Sequence, residues 1–407
     1  MGSGRFEAIA ARRRFGIKPG LDTIRALCAA LGDPQHGLRA IHVAGTNGKG
    51  AVCAILDAVI GDSCRYTSPH LVALNERFCI DGVPVDDDTL ERAAAKVEKA
   101  AMATGNEATF FEALTAAAFL VFAEKRRRWA ILECGLGGRL DATNVCEPEL
   151  CVITRIGLDH CQWLGDTMEK IAAEKAGIIK PGVPVVLGRN CESVREVVLT
   201  RAKELAAPFI YAPDIADESE IPADFPLAGS FNRENAVTAI AALKTLHVPF
   251  SSFSSIVWPG RFQRVGNFII DGAHNPPAAA ALSESLREAL PQGEKIDLIA
   301  GFCGDKDAAS VLRTLSAHVR RGLAVRIDNP RSMSAEATAD EMLRAGIDAA
   351  PCASLKEALS AVEGNHALIC GSLFLAGEAL VALGAYPWTV RRTDPSETFT
   401  PLGHLNG

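Results

Sequence analysis

Gly45-Thr46-Asn47-Gly48-Lys49-Gly50 follows a short apolar run, Ile41-His42-Val43-Ala44, and precedes an apolar-rich segment from Ala51 to Ile60. That order reads as a strand, a glycine-rich turn and a helix start. The glycines let the turn present successive backbone N–H groups, and the helix N-terminus adds partial positive charge. Lys49 supplies a full one. The six residues form a phosphate cradle, which predicts ATP or a similar nucleotide as ligand. Glycine-rich strand-to-helix turns also occur without a ligand, but a lysine at the helix start favours the nucleotide. The usual phosphate loop follows its lysine with Ser or Thr, whose hydroxyl helps hold Mg²⁺. Here Gly50 and Ala51 follow Lys49.

Short apolar strands alternate with longer helical patterns on both sides of this turn. Strands are predicted at Ala40–Ala44, Trp129–Cys134, Cys151–Arg155 and Val183–Gly188. Helices are predicted at Asp87–Ala103, Glu112–Lys125 and Asp166–Ile178. The alternation implies a parallel sheet covered on both faces. A second series begins near residue 265, with strands at Phe268–Asp271, Ile296–Ala300, Leu323–Arg326 and Ala367–Cys370. The expected fold is α/β in two domains, an N-terminal P-loop mononucleotide-binding domain (1–252) and a smaller Rossmann-like domain (265–386). Residues 253–264 form the linker, within a Ser/Pro-rich stretch, Val248–Gly260, that reads as a hinge. The tail 387–407 has little periodicity.

Composition narrows the function. Aromatics are 6% and the formal net charge is -7, which argues against a nucleic-acid binder. The longest apolar run, Ala116 to Ala123, is far short of the ~20 residues a membrane span needs. Twelve scattered cysteines with no C-x-x-C pair predict a cytosolic thiol protein, neither a disulfide scaffold nor a zinc site.

Further motifs fall at strand ends. Glu133 closes an apolar strand and runs into Gly135-Leu136-Gly137-Gly138-Arg139-Leu140-Asp141. A carboxylate there sits where open α/β sheets bind ligands, and beside a phosphate loop it is a natural Mg²⁺ ligand. Asp159-His160 follows the next strand, where structural and metal or phosphate roles stand level. Thr67-Ser68-Pro69-His70 reads first as a turn, although its serine can offer a metal-ligand hydroxyl. Lys175, near a predicted helix end, reads first as a solvated lysine or a favourable C-terminal charge. In the second series Asp271 and His274 follow a strand and can reach ribose or phosphate. Arg261, on the hinge, can clamp phosphate across an interdomain cleft that closes on nucleotide.

Taken in order, the motifs closely resemble the folylpolyglutamate synthase/dihydrofolate synthase family, a branch of the Mur ligase superfamily. The resemblance spans nearly all of residues 15 to 385. It is carried by Phe15-Gly16-Ile17-Lys18-Pro19-Gly20-Leu21, Tyr66-Thr67-Ser68-Pro69-His70-Leu71, Leu136 to Asn144, Asp271-Gly272-Ala273-His274-Asn275-Pro276 and Asp305-Lys306-Asp307. It implies a monomeric ATP-dependent ligase that phosphorylates a pteroate or folate carboxylate and joins it to L-glutamate. By resemblance, Lys49 and the loop amides hold ATP, and Ser68, Glu133 and His160 match magnesium ligands. Lys175 matches a lysine carried as a carbamate, which would serve a second Mg²⁺. The expected catalytic groups are Lys49, His160 and Lys175. Asn235 matches a residue at the adenine, and Arg261, Asp271 and His274 match nucleotide contacts. Arg139 and Asp141 match the pteroate or folate end, and Glu112 and Thr115 match a signature near the cleft. The sequence departs from the family at Ala51, at Phe231-Asn232 where His-Gln is common, and before Asn75-Glu76-Arg77. The competing readings are a Mur-type UDP-sugar ligase and a non-catalytic nucleotide-binding protein. The first is disfavoured by the few residues ahead of the loop, the second by retention of Lys49, Glu133, His160 and Lys175.

Overall fold

The structure, a computed structural model, describes residues 18–105, 107–304, 306–362 and 364–388. Nearly all of the tail and the Phe15-Gly16-Ile17 start of the first motif lie outside these residues. The chain divides into two compact α/β units. The first comprises residues 1–70, 75–226 and 231–258, and the second residues 71–74, 227–230 and 259–407.

The first unit is built on eight strands: β1 (Ala40–Ala44), β2 (Ser63–Tyr66), β3 (Phe78–Ile80), β4 (Val83–Pro84), β5 (Trp129–Glu133), β6 (Pro148–Ile153), β7 (Val185–Leu187) and β8 (Phe209–Tyr211). Their order is β4-β3-β2-β5-β1-β6-β7-β8. β1 lies parallel between β5 and β6, and all five of its residues are buried. A strand covered on both faces needs no polar alternation, hence its apolar sequence. The chain leaving β1 crosses toward β2, whereas the chain leaving β6 continues to β7 on the other side. Such a reversal opens a crevice at the C-terminal strand ends, where doubly wound sheets bind ligands.

The expectation of a parallel sheet holds for its centre. At one edge β3 runs antiparallel to both of its neighbours, β2 and β4, while β2 itself is parallel to β5. These short strands lack the long apolar runs that mark the centre, so the sequence pattern missed them. Predicted strands also end early: β5 stops at Glu133 and β6 at Ile153.

The helix after β1, Lys49–Ile60, buries Val52, Ile55 and Leu56. Such burial contributes ~1.5–3 kcal/mol per side chain. Asp57 on this helix pairs with Arg65 of β2 at 3.2 Å, and both are buried. Ser63 Oγ donates to Asp57 Oδ1 at 2.5 Å, and Arg65 Nη2 donates to Cys79 Sγ at 3.1 Å. Removing one member leaves an uncompensated interior charge. Asp57→Ala is therefore expected to lower stability by about 3–5 kcal/mol in urea unfolding.

The helix Phe110–Lys125 starts with a capping box. Thr109 Oγ1 accepts from Glu112 N at 3.2 Å, and Glu112 Oε2 accepts from Thr109 N at 2.8 Å. Thr115 Oγ1 donates to the Tyr66 hydroxyl at 3.4 Å. Both signature residues hold this helix in place.

The second unit carries six strands: β9 (Gln263–Val265), β10 (Phe268–Ile270), β11 (Ile296–Ala300), β12 (Val319–Ala324), β13 (Ala349–Pro351) and β14 (Ala367–Cys370). Their order is β13-β12-β11-β14-β10-β9, parallel except for β9 at the edge. An apolar core of Ile270, Ile299, Val325, Ile369 and Leu380 packs beside this sheet.

Candidate active site

The loop after β1 is fixed by its neighbours. The N–H groups of Thr46 and Asn47 both donate to the Arg155 carbonyl, at 2.9 and 3.3 Å. Thr154 Oγ1 donates to Asn47 O at 2.8 Å, and Thr46 Oγ1 donates to Gly157 O at 3.0 Å. The loop is thus stapled to the segment after β6. Open backbone donors therefore concentrate at Gly48, Lys49 and Gly50, where the helix starts and its first N–H groups have no intrahelical partner.

Two glycines in the loop are required by backbone and space together. Gly45 has φ 149° and Gly48 has φ 88°. A Cβ on Gly45 would strike Thr154, and one on Gly48 would strike the Asn235 amide. Asn235, buried on the helix Ser230–Thr245, thus packs directly against the loop.

Lys49 Nζ donates to Thr46 O at 3.2 Å and stands 3.9 Å from Glu133 Oε1. Glu133, at the end of β5, is buried, and its Oε2 accepts from Ser68 N at 2.9 Å. Three expected site residues, Lys49, Ser68 and Glu133, therefore meet at one strand end. The Thr67-Ser68-Pro69-His70 knot is a turn, with a cis bond before Pro69, and it also borders the site.

Lys175 is not a solvated helix lysine. It is buried, and its Nζ donates to Gly45 O at 2.7 Å. Burial, then the charge of Lys49, pushes its pKa down to about 7. Near neutrality a large share of the amine is unprotonated and nucleophilic.

Two expected substrate residues do different work. Asp141 is buried, and its carboxylate accepts from Leu136 N at 2.8 Å, Thr143 N at 3.0 Å and Thr143 Oγ1 at 2.5 Å. It holds its own loop together. Arg139 is exposed and donates to Glu174 Oε1 at 3.1 and 2.8 Å. Asn144 Nδ2 donates to Arg139 O at 2.9 Å and to Gly177 O at 3.2 Å. The glycine-rich loop is thus a brace for the helix end that carries Lys175. Asp141→Ala leaves several buried donors unmet and is expected to cost about 2–4 kcal/mol in thermal or urea unfolding.

His160 is the loosest member. It begins the short helix Cys161–Leu164 at φ 51°, its side chain is 42% exposed, and Nε2 stands 3.9 Å from Asp159 Oδ1. Among the described residues no cluster of three or more His, Cys, Asp or Glu side chains could hold a metal. The set Ser68, Glu133 and His160 contributes only two such groups. A hydroxyl, a carboxylate and an imidazole nevertheless form a mostly oxygen donor set of the kind Mg²⁺ accepts with water or phosphate oxygens.

In the second unit Asp271 is buried, and its oxygens accept from Phe262 N and Ala273 N, both at 2.8 Å. This carboxylate shapes the turn that presents its neighbours. His274 Nδ1 donates to Gly272 O at 2.7 Å, which leaves Nε2 as the acceptor nitrogen. Arg261 Nη1 donates to Gly260 O at 3.2 Å and lies against Gly272, where a Cβ would strike it.

Sequence reasoning passed over His42. Its buried ring reaches Thr143 Oγ1 at 2.7 Å and Cys134 Sγ at 3.1 Å through Nε2. Burial, then Lys180, pushes its pKa down to about 3. It ties β1 to the Asp141 loop as a neutral ring. A histidine inside an otherwise apolar strand was the available signal.

Comparison with known proteins follows the same lines. The Mur ligase middle domain matches residues 43–205, and the Mur ligase glutamate ligase domain matches residues 260–373. The dihydrofolate synthase/folylpolyglutamate synthase of Bacillus subtilis (strain 168) is 34% identical over 366 residues, covering 80% of this chain and 85% of that protein. The solved folylpolyglutamate synthase of Mycobacterium tuberculosis, complexed with ADP and AMPPCP, has a TM-score of 0.83 and 28% identity. The match covers 94% of this chain and all of that one. A bifunctional folylpolyglutamate synthase/dihydrofolate synthase structure with Mn, AMPPNP and L-glutamate bound has a TM-score of 0.80 and 29% identity, covering 93% of this chain and 98% of that one. With Mur ligase domains matched in both halves and a relative 34% identical over most of both chains, the chain belongs to the dihydrofolate synthase/folylpolyglutamate synthase family of Mur ligases.

Proposed function

We propose that this protein is an ATP-dependent ligase that activates a pteroate or folate carboxylate as an acyl phosphate and joins it to L-glutamate. The observation that carries the reading is the meeting of Lys49, buried Glu133 and the Ser68 turn at the phosphate loop, with Lys175 bonded to the same loop. Lys49 and the N–H groups at the helix start take the nucleotide phosphates, and Asn235 faces the base. Arg261 and His274 are the second unit's nucleotide contacts, in the turn that Asp271 holds. Ser68, Glu133 and His160 would hold Mg²⁺, and Lys175, carried as a carbamate, would serve a second ion. Bound Mg²⁺ supplies charge neutralisation on the phosphoryl oxygens.

The reaction needs positioning more than covalent help. A carboxylate oxygen of the acceptor attacks the γ-phosphorus and ADP leaves. The neutral amine of glutamate adds to the acyl carbon. The tetrahedral intermediate expels phosphate, which keeps the former carboxylate oxygen, and the amine proton passes to solvent or phosphate. Arg139 contacts the acceptor from the loop shaped by Asp141. The acceptor is dihydropteroate, a reduced folate, or both, and the enzyme works as a cytoplasmic monomer.

The reading is tested by L-glutamate-dependent phosphate release with dihydropteroate, tetrahydrofolate and a UDP-muramoyl acceptor side by side. Turnover is expected with a pterin acceptor. Turnover with the UDP acceptor alone would overturn the folate assignment, and none at all would overturn the ligase.

A further inference from the structure

We propose that Trp258 is a positioning residue for the phosphate loop, setting the first turn of the helix Lys49–Ile60 through contact with Gly50. The inference rests on the reading that this loop binds nucleotide.

Gly50 sits one residue into the helix after Lys49, and no left-handed conformation demands a glycine there. The demand is spatial. A Cβ on Gly50 would fall 2.7 Å from Trp258 Cη2, closer still to Cζ2, and 3.3 Å from Glu133 Oε2. The six-membered ring of the indole therefore lies directly on the backbone of the loop's last residue. The Arg65 guanidinium lies 5.5 Å from the indole centroid, within cation–π range. Arg65 is itself pinned by Asp57, on the same helix as Gly50. Trp258 thus touches the helix start directly and is linked through Arg65 to its later turn.

A flat ring on a bare backbone fixes helix position without taking a phosphate-facing donor. Lys49 and Glu133 flank Gly50 in sequence or in space, so a shift of this turn moves the cation and the carboxylate together. Trp258 is also the last residue of the first unit, and the longest segment of the second starts at Pro259. No bond to nucleotide is needed for this role.

A double-mutant cycle of Gly50→Ala and Trp258→Ala tests it, read by equilibrium binding of ADP and by separate KM values for ATP and acceptor. Each single change is expected to weaken nucleotide binding about tenfold or more, and Gly50→Ala to add less than about twofold once Trp258 is gone. The rise is expected in the ATP KM, with the acceptor KM held within about twofold, whereas general loosening of the fold would move both. Trp258→Phe, which keeps a ring on Gly50, is expected to restore most of the affinity. Additive single effects, or a Trp258→Ala protein with wild-type nucleotide affinity, would overturn the inference. A wild-type protein that binds no nucleotide would instead overturn the ligase reading.

Discussion

Lys49→Ala is expected to abolish ligation, lowering kcat/KM by about a thousandfold or more, ~4 kcal/mol in barrier. Phosphoryl transfer spreads negative charge over the equatorial oxygens, and little other than cations and aligned N–H groups offsets it. Lys49 is the cation at the loop, and it also faces buried Glu133 at 3.9 Å. Its loss removes the proposed phosphate contact and the ammonium that faces that carboxylate. Ala51→Ser is the control. Restoring the usual hydroxyl is expected to change activity by less than about tenfold, ~1.4 kcal/mol. Ser68 meets Glu133 from another loop and can offer a hydroxyl there. Steady-state kinetics of both variants decide the point, and a large gain from Ala51→Ser would mean the loop is crippled without it.

Lys175→Ala is expected to be nearly inactive, and wild-type activity is expected to depend on dissolved CO₂. The buried amine, with its pKa pushed down to about 7, is unprotonated often enough to add CO₂ near neutrality. Adding CO₂ turns a cation beside Lys49 into an anion with two oxygen donors. Enzyme stripped of CO₂ should lose activity and regain it when CO₂ is restored, faster above pH 7 than below when the dissolved CO₂ concentration is held fixed. Activity indifferent to bicarbonate would exclude the carbamate. The same shift makes a stability prediction for CO₂-free protein. The folded amine titrates near 7, and the unfolded one near the ordinary lysine value of 10.5. Between these values the unfolded chain binds more protons, so stability rises with pH through that window. Below about pH 7 both states are protonated and the full burial penalty applies. Urea unfolding at pH 7 and 9 should show this rise, and Lys175→Met should lack it.

The central strands were legible because β1, β11 and β14 are apolar runs buried on both faces. The phosphate loop was legible for a related reason, since Gly45 and Gly48 answer local backbone demands. What escaped depends on residues far apart in sequence. Lys175 reads locally as a solvated helix residue, and only its bond to Gly45, 130 positions away, shows otherwise. Asp141 and Asp271 look like ligand carboxylates at strand ends, yet each is engaged by main-chain donors of its own turn. Trp258 lay in a stretch read as hinge. The clue was on its partner: Gly50 is a glycine inside a helix with no turn to explain it, which signals close approach by another group.

The most direct test of the account follows an oxygen atom. The acceptor carboxylate is labelled with heavy oxygen, the reaction is run with ATP, Mg²⁺ and L-glutamate, and the released phosphate is analysed by mass spectrometry. An acyl phosphate requires one carboxylate oxygen to leave with each phosphate, so labelled phosphate should appear in step with amide product. Amide formed with unlabelled phosphate would contradict carboxylate activation at this site.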